Sequence, residues 1–430
     1  MPLKHSIKEV SLQTGAKGLI VNVPDSTVMS YVIHFRAGND YVEDRAKHQT
    51  AHLMEHMAFG PNSEFATMEA FSQEFSRNGA YSNASTFDTN MHYYADCAQF
   101  EWDRILKLQQ LAITGPKFLP NILEAEKGNV REELTGQLHN NGRQLWMHIN
   151  RAMGGHSLLD EEKIATIDAV TVDDIVAHHR RTHTHRNMRF VLAGNFEGQA
   201  DDRAVALLEQ WELTDGTRLD PVVDEVHIAP PVSLRRHDQE NITFAYTMVM
   251  KRKLAIPELV TFAALSHLLT GTFHSRIFGK ARTRGICYGV GSSATTDLNG
   301  TSSWDFHGQV RPDNATALYE LIRDELRRII DGDISDEDID SAKQHLIGDY
   351  QMRGQTVGAL AGWYAGDYFF DETIDNITNA SEHISAVTKE DMVRLAREFV
   401  AATSWTLGEI GAVDEAATKR HHSTLASLFS

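Results

Sequence analysis

Near its N-terminus the chain reads TAHLMEHMAFG, and within it His52, Glu55 and His56 form the pattern H-x-x-E-H. On a helix, residues three and four apart share one face. Two imidazoles in that relation can grip one metal ion. A carboxylate between them, on the same side, can take a proton from a water that such an ion activates. Gly60 and Pro61 follow directly and stop the helix. The pattern is the inverted counterpart of H-E-x-x-H. With 22 histidines in the chain, close His pairs arise by chance. The complete pattern on an apolar helical segment is much rarer.

A catalytic zinc takes three protein ligands and keeps one position open. The third ligand is expected in the same half, and the helical segment Leu119 to His139 offers ILEAEKGNVREEL, with Glu124, Glu126, Glu132 and Glu133. Glu126 and Glu133 are seven apart and share a face two turns apart. One can ligate while the other accepts a hydrogen bond from a ligand imidazole. Spacing alone does not rank Glu133 over Glu132, and a solvated acidic face is the plain alternative. The run from His183 to Arg186 lies at a turn before a strand and is read as structural.

These residues sit in a chain that contains itself twice. IDAVTVDDIV begins at Ile167 and ISAVTKEDMV at Ile384, an offset of 384 − 167 = 217. At the same offset FVLAG, ending at Gly194, faces LGEIG, ending at Gly411. An offset near half the length marks a duplicated domain. Leu213 to Val232 is rich in Pro and acidic residues and reads as a linker. The expected division is 1–212, a linker over 213–232, and 233–430. LIVNV, MSYVIHF and ITFAYTMVM read as strands. Helices are expected over Met68–Asn78, Phe100–Ile113, Leu119–His139 and Asp173–Thr182. Thr171 and Thr388 sit at helix starts, each with acidic residues in the first turn. The fold class is α+β: two homologous domains, each an antiparallel sheet with helices on one face. No strand–GxGxxG–helix unit points to a Rossmann domain.

Composition bounds the rest. The chain has 430 residues, 42% of them apolar, enough for two cores of roughly 200 residues each. Its 2 cysteines, Cys97 and Cys287, cannot build a disulfide framework and are read as buried thiols. A net charge of −18 disfavours general binding to nucleic acid or anionic membrane and suits basic ligands. No segment is long and apolar enough to cross a membrane, and no signal-peptide core is seen, so the cytoplasm is the default location. Trp146, Trp363 and Trp405 are read as core or interface aromatics, and His421–His422 as a solvated pair.

The sequence resembles the M16 metallopeptidases, the pitrilysin, insulinase and mitochondrial-processing-peptidase family. The resemblance rests on H-x-x-E-H followed by 76 residues and a Glu: His56 to Glu133 is 133 − 56 = 77 positions. Further matches are RAGNDYVEDRAKHQTAHLMEHMAFG, GAYSNASTFDTNMHYY and LTGTFHSRIFGKARTRGICYGV, and the likeness spans nearly the whole chain. It implies a zinc endopeptidase of two homologous domains closing like a clam, with one Zn²⁺ per chain. His52, His56 and Glu133 are then the zinc ligands, Glu55 the general base, and Glu126 a supporting carboxylate. Peptide substrates would add a strand along Gly79 to Ser85, placing Asn83 and Ala84 near the scissile bond, with His92 and Tyr93 as weaker matches.

The offset sends His52, Glu55 and His56 to Leu269, Thr272 and Phe273, so the second half is expected to be metal-free. Relatives place an Arg and a Tyr seven apart in that half, contacting substrate and the developing oxyanion. Here Tyr288 fits, but Ala281 stands seven earlier; Arg282 is six before it and Arg284 four. The expectation is that Arg282 still reaches in, with Arg284 as a further substrate contact. A homodimer is expected. The alternatives are the metal-bearing subunit of a heterodimeric processing protease, or an impaired structural homologue.

Overall fold

The computed structural model describes residues 2–198, 200–296, 300–401 and 404–429. The chain forms two compact units, one from Met1–Thr135, Glu161–Val222 and Gln351–Thr378, the other from Gly136–Asp160, Val223–Tyr350 and Asn379–Ser430. The first unit holds the strands β1 (Ser6–Ser11), β2 (Lys17–Asn22), β3 (Val28–Phe35), β4 (Tyr81–Thr86), β5 (Met91–Ala98) and β6 (Arg189–Gly194). They form one sheet in the order β1-β2-β6-β3-β5-β4. The second unit holds β7 (Val232–Arg235), β8 (Ile242–Met250), β9 (Gly289–Thr296), β10 (Ser302–Val310) and β11 (Ser404–Gly411), in the order β7-β11-β8-β10-β9.

With β1 set aside, the two orders are the same. β2 runs parallel to β6 and β7 to β11, and every other pairing is antiparallel. The repeated segments have the same local physics. Thr171 caps the helix Val172–Thr182 in a capping box with Asp174. Before the helix Lys389–Ala401, the Asp391 amide donates to Thr388 Oγ1 at 3.1 Å. Gly194 and Gly411 end their strands at φ +146° and +127°, a backbone that side chains rarely adopt. A Cβ at Gly194 would meet Met29 Sδ at 2.2 Å, and one at Gly411 would meet Asn241 O at 2.2 Å.

The units are not the contiguous halves that the repeat suggests. Residues 136–160 pack with the second unit and 351–378 with the first. The expected helical layer covers one face of each sheet. In the first unit Tyr31, Ile33, Phe35 and Leu192 meet Leu53, Met57 and Ile105 there. The opposite face is covered too. Leu19, Val21, Val191 and Ala193 pack on Leu360, Ala361 and Tyr364 of the helix Val357–Asp371. In the second unit Ala245, Val249 and Ile410 pack on Leu145 and Ile149 of the helix Asn141–Ala152. The cause lies in the strands. Leu19, Ile20 and Val21 are consecutive and all buried, so both faces of the sheet need cover. Among the described residues no helix is long and apolar enough to cross a membrane.

Several sequence expectations about single residues are settled here. Cys97 and Cys287 are free and buried. Burial pushes the Cys97 thiol up to about 12. Trp405 is buried, Trp363 is partly buried, and Trp146 stays 37% exposed. The pair His421–His422 is not solvated. His421 Nδ1 bonds the fully buried Glu409 at 2.9 Å, and His422 stacks on Trp405 with centroids 4.3 Å apart. His183 is buried between Tyr93 and Thr182, its Nε2 accepting from the Tyr93 hydroxyl at 2.9 Å.

Burial holds the His34 and His183 imidazoles well below their usual range and pushes His178 down to about 4. These rings are neutral in the folded chain. Above about pH 6.5 the unfolded chain is neutral there too, and nothing is lost. Below it the unfolded chain takes up protons that the folded chain refuses, so stability falls as pH falls. His178 alone costs about 3 kcal/mol by about pH 4. The urea midpoint should therefore decline from about pH 7 to about pH 5; a flat profile across that window would contradict the burial of neutral histidines.

Candidate metal centre

The helix Thr50–Ala58 presents His52 and His56 one turn apart, with Leu53, Met54 and Met57 buried on its other side. The helix Pro120–Gln137 is anchored by Leu123, Val130 and Leu134 and carries Glu126 and Glu133 on a shared face. Glu133 Oε2 lies 3.5 Å from His52 Nε2 and 3.6 Å from His56 Nε2. The two rings stand nearly perpendicular at 79°, with centroids 4.9 Å apart. One ligand atom from each of His52, His56 and Glu133 falls within 4.8 Å of the others. Glu132 is exposed and outside this group, so the helical turn resolves what spacing left open.

The remaining ring nitrogens are already in use. His56 Nδ1 bonds Glu126 Oε2 at 2.9 Å, and Asn129 Nδ2 donates to the same oxygen at 3.1 Å. His52 Nδ1 bonds Gln49 Oε1 at 3.0 Å, while Gln49 Nε2 meets His48 Nδ1 at 3.1 Å. Each Nδ1 thus donates to an oxygen, and both Nε2 lone pairs converge on the Glu133 carboxylate. Two imidazole lone pairs and one carboxylate are the donor set of a borderline divalent cation such as zinc. Without a cation the His56 ring is drawn toward its protonated form instead. Burial lowers His56, but hydrogen bonds to Glu133 and Glu126 and the charge of Glu55 outweigh it and raise it to about 9. The two histidines hold the Glu133 carboxyl far below its ordinary range. Gln49 and Asn129 escaped the sequence reading; the signal for Gln49 was its place three residues before His52.

Glu55 lines the same open cleft of about 580 Å³, together with Phe59, Asn83, Ala84 and Phe87. One wall is β4, the last strand of the sheet, paired only with β5 among the described residues. The Ala84 amide donates to Asn83 Oδ1 at 2.9 Å and is therefore not spent on β5. Tyr93 is not offered to the cleft. Its ring is 1% exposed and its hydroxyl faces His183. His92 points to the opposite face of the sheet, stacked on His34 with centroids 5.0 Å apart.

Arg282, Arg284 and Tyr288 belong to the second unit. Arg282 is in the helix Phe278–Thr283, Arg284 is its C-cap, and Tyr288 is 81% exposed. The Arg282 guanidinium lies 4.1 Å from the centre of the Tyr288 ring. The counterparts of the metal-site residues there hold no ligand set: Leu269 is buried, and Phe273 is 65% exposed.

Two family models match the chain. One, described as insulinase (peptidase family M16), covers residues 21–160, and the other, the peptidase M16 inactive domain, covers 169–346. The chain belongs to peptidase family M16. An uncharacterized zinc protease of Streptomyces coelicolor is 21% identical to this M16 chain, over 98% of it and 93% of that protein. Among solved structures, a protease from Helicobacter pylori is 19% identical with a TM-score of 0.80, over 95% of this chain and 100% of that one. A structure described as the peptidase M16 inactive domain from Pseudomonas fluorescens is 16% identical with a TM-score of 0.83, over 95% and 99%. These likenesses share the M16 fold.

The Glu126 contact gives a direct test of the ring arrangement. Glu126→Gln should weaken divalent-metal binding by about 10–100-fold, read by competition with a chelator. Unchanged affinity would mean that His56 needs no such partner to present Nε2.

Proposed function

We propose that this M16 chain is a zinc-dependent endopeptidase that hydrolyses peptides or unfolded polypeptide segments. One observation carries the reading: His52, His56 and Glu133 converge in a cleft that also holds Glu55 and is walled by β4, whose outer edge is unpaired among the described residues. Zinc held by these three residues would supply Lewis acidity, polarising the scissile carbonyl and the water that attacks it. Glu55 takes the proton from that water and later passes it to the leaving amine. Glu126 and Gln49 keep each imidazole turned with Nε2 inward. An extended peptide pairs with β4 through main-chain hydrogen bonds, replacing the Asn83 side chain at the Ala84 amide. Recognition of that kind reads backbone before side chains, which suits varied sequences.

From the second unit we assign Tyr288, with Arg282 stacked on it, and Arg284 as groups that contact substrate. The Arg282–Tyr288 contact supports a pair kept working despite the shortened spacing. The chain is proposed to act as a cytoplasmic homodimer. The other reading, a metal-bearing subunit that needs a partner chain, requires the isolated protein to bind zinc and cleave nothing.

Glu55→Gln tests the proposal. The variant should keep its zinc and lose peptide hydrolysis by at least about 10²–10⁴-fold, while a chelator abolishes cleavage by the native chain. Full activity in a zinc-loaded variant would remove Glu55 from the role of base.

A further inference from the structure

The second unit buries a carboxylate where the first has apolar core. Glu409 of β11 is fully buried, and its Oε1 accepts from the Tyr319 hydroxyl at 2.6 Å and from His421 Nδ1 at 2.9 Å. At the offset of 217 the first unit places Leu192, Trp102 and Ala204, all buried. The sheet therefore closes without this group, and burying a carboxylate costs free energy even when it is well bonded. Glu409 does one thing that Leu192 cannot. It accepts the Nδ1 proton of His421 and so fixes which nitrogen of that ring is left over.

The remaining nitrogen belongs to a pocket. His421 is 5% exposed, and its ring lines a cavity of about 430 Å³ together with Arg235, Arg236, His237 and Arg420. Its Nε2 has no hydrogen-bond partner among the described residues. The cavity lies at the start of the helix Glu415–Ala426, where the backbone favours negative charge. None of Arg235, Arg236 and Arg420 pairs with a carboxylate among the described residues. Arg236 Nη2 reaches only the Leu138 carbonyl, at 3.4 Å. The first unit differs here too: Arg203, at the offset position of Arg420, is ion-paired with Asp103. Two acids also line the cavity. Asp414 is spent capping the helix, accepting from the Ala417 amide at 2.7 Å, and Asp313 is exposed. Three guanidinium groups against two carboxylates leave the cavity positive, in a chain whose net charge is −18.

We propose that this cavity binds a phosphate group, free or as the monoester of a small molecule. Arg235 and Arg420 meet its oxygens with charge-assisted, forked hydrogen bonds. His421 Nε2 meets it in either state of the ring. The imidazolium donates to a phosphate oxygen, and the neutral ring accepts from a phosphate hydroxyl. Glu409 is the positioning residue, holding the ring from the protein side. The volume suits a small ligand.

Calorimetric titration of the full chain in about 0.15 M potassium chloride tests this. The probes are inorganic phosphate and glycerol phosphate, with glycerol as the neutral control. Saturable binding of both phosphates is expected, and none of glycerol. Tighter binding of the ester assigns the site to small organic phosphates, and the reverse to free phosphate. Arg235→Gln and Arg420→Gln should each weaken binding about tenfold. Both residues are exposed, so both variants should fold. Phosphate should also move the Nε2 resonance of His421 in nitrogen NMR, which a purely structural Glu409–His421 pair would not do. Absence of saturable binding, binding indifferent to both arginine substitutions, or a silent Nε2 resonance would overturn the proposal. Phosphate captured by a metal in the first unit would show itself as that indifference. No step depends on hydrolysis, so the result stands apart from the peptidase reading.

Discussion

The hydrogen bond between His56 Nδ1 and the Glu126 carboxylate decides which nitrogen of that ring is left for a cation. Gln49 does the same for His52. With both Nδ1 atoms committed, the two Nε2 lone pairs can only face Glu133. Without a cation His56 is drawn into holding a proton and Glu133 into giving one up, so the two face one another as an ion pair. A divalent cation answers all three at once. The rest of the first unit serves this arrangement. Apolar residues beneath the helices Thr50–Ala58 and Pro120–Gln137 set their depth, and the sheet places β4 alongside as an edge.

The second unit shows how much a shared scaffold leaves free. Strand order and direction are repeated, and so are the capping threonines and the strand-ending glycines. The contents differ. Trp102, Leu192 and Ala204 belong to the apolar core of the first unit. At the same offset the second unit has Tyr319, Glu409 and His421, linked by hydrogen bonds of 2.6 and 2.9 Å. His34 and His92 give way to Thr247 and Asp305. Backbone hydrogen bonding constrains the sheet, while side chains within it need only fill space and satisfy their own polar groups.

What the sequence revealed follows the same division. The helix bearing His52 and His56 was legible because its chemistry lies at helical spacing within one turn. The duplication was legible because caps and positive-φ glycines tolerate few residue types. The exchanged helices were not, because an apolar face at 3.6-residue period does not say which sheet it will cover. Helical spacing alone could not tell Glu133 from Glu132; the resemblance named Glu133, and the depth of Val130 and Leu134 sets the helix rotation that presents it. His421 looked like a surface pair because nothing in SWTLGEIG signals that its partner, Glu409, is buried with the rest of that strand.

The most direct test of the account is zinc K-edge absorption spectroscopy of the purified chain, with metal content measured on the same sample. The account predicts one zinc per chain, bound by two imidazoles and one carboxylate, with two imidazoles replaced by one in His52→Ala. Zinc absent after reconstitution, or a coordination shell unchanged in His52→Ala, would contradict it.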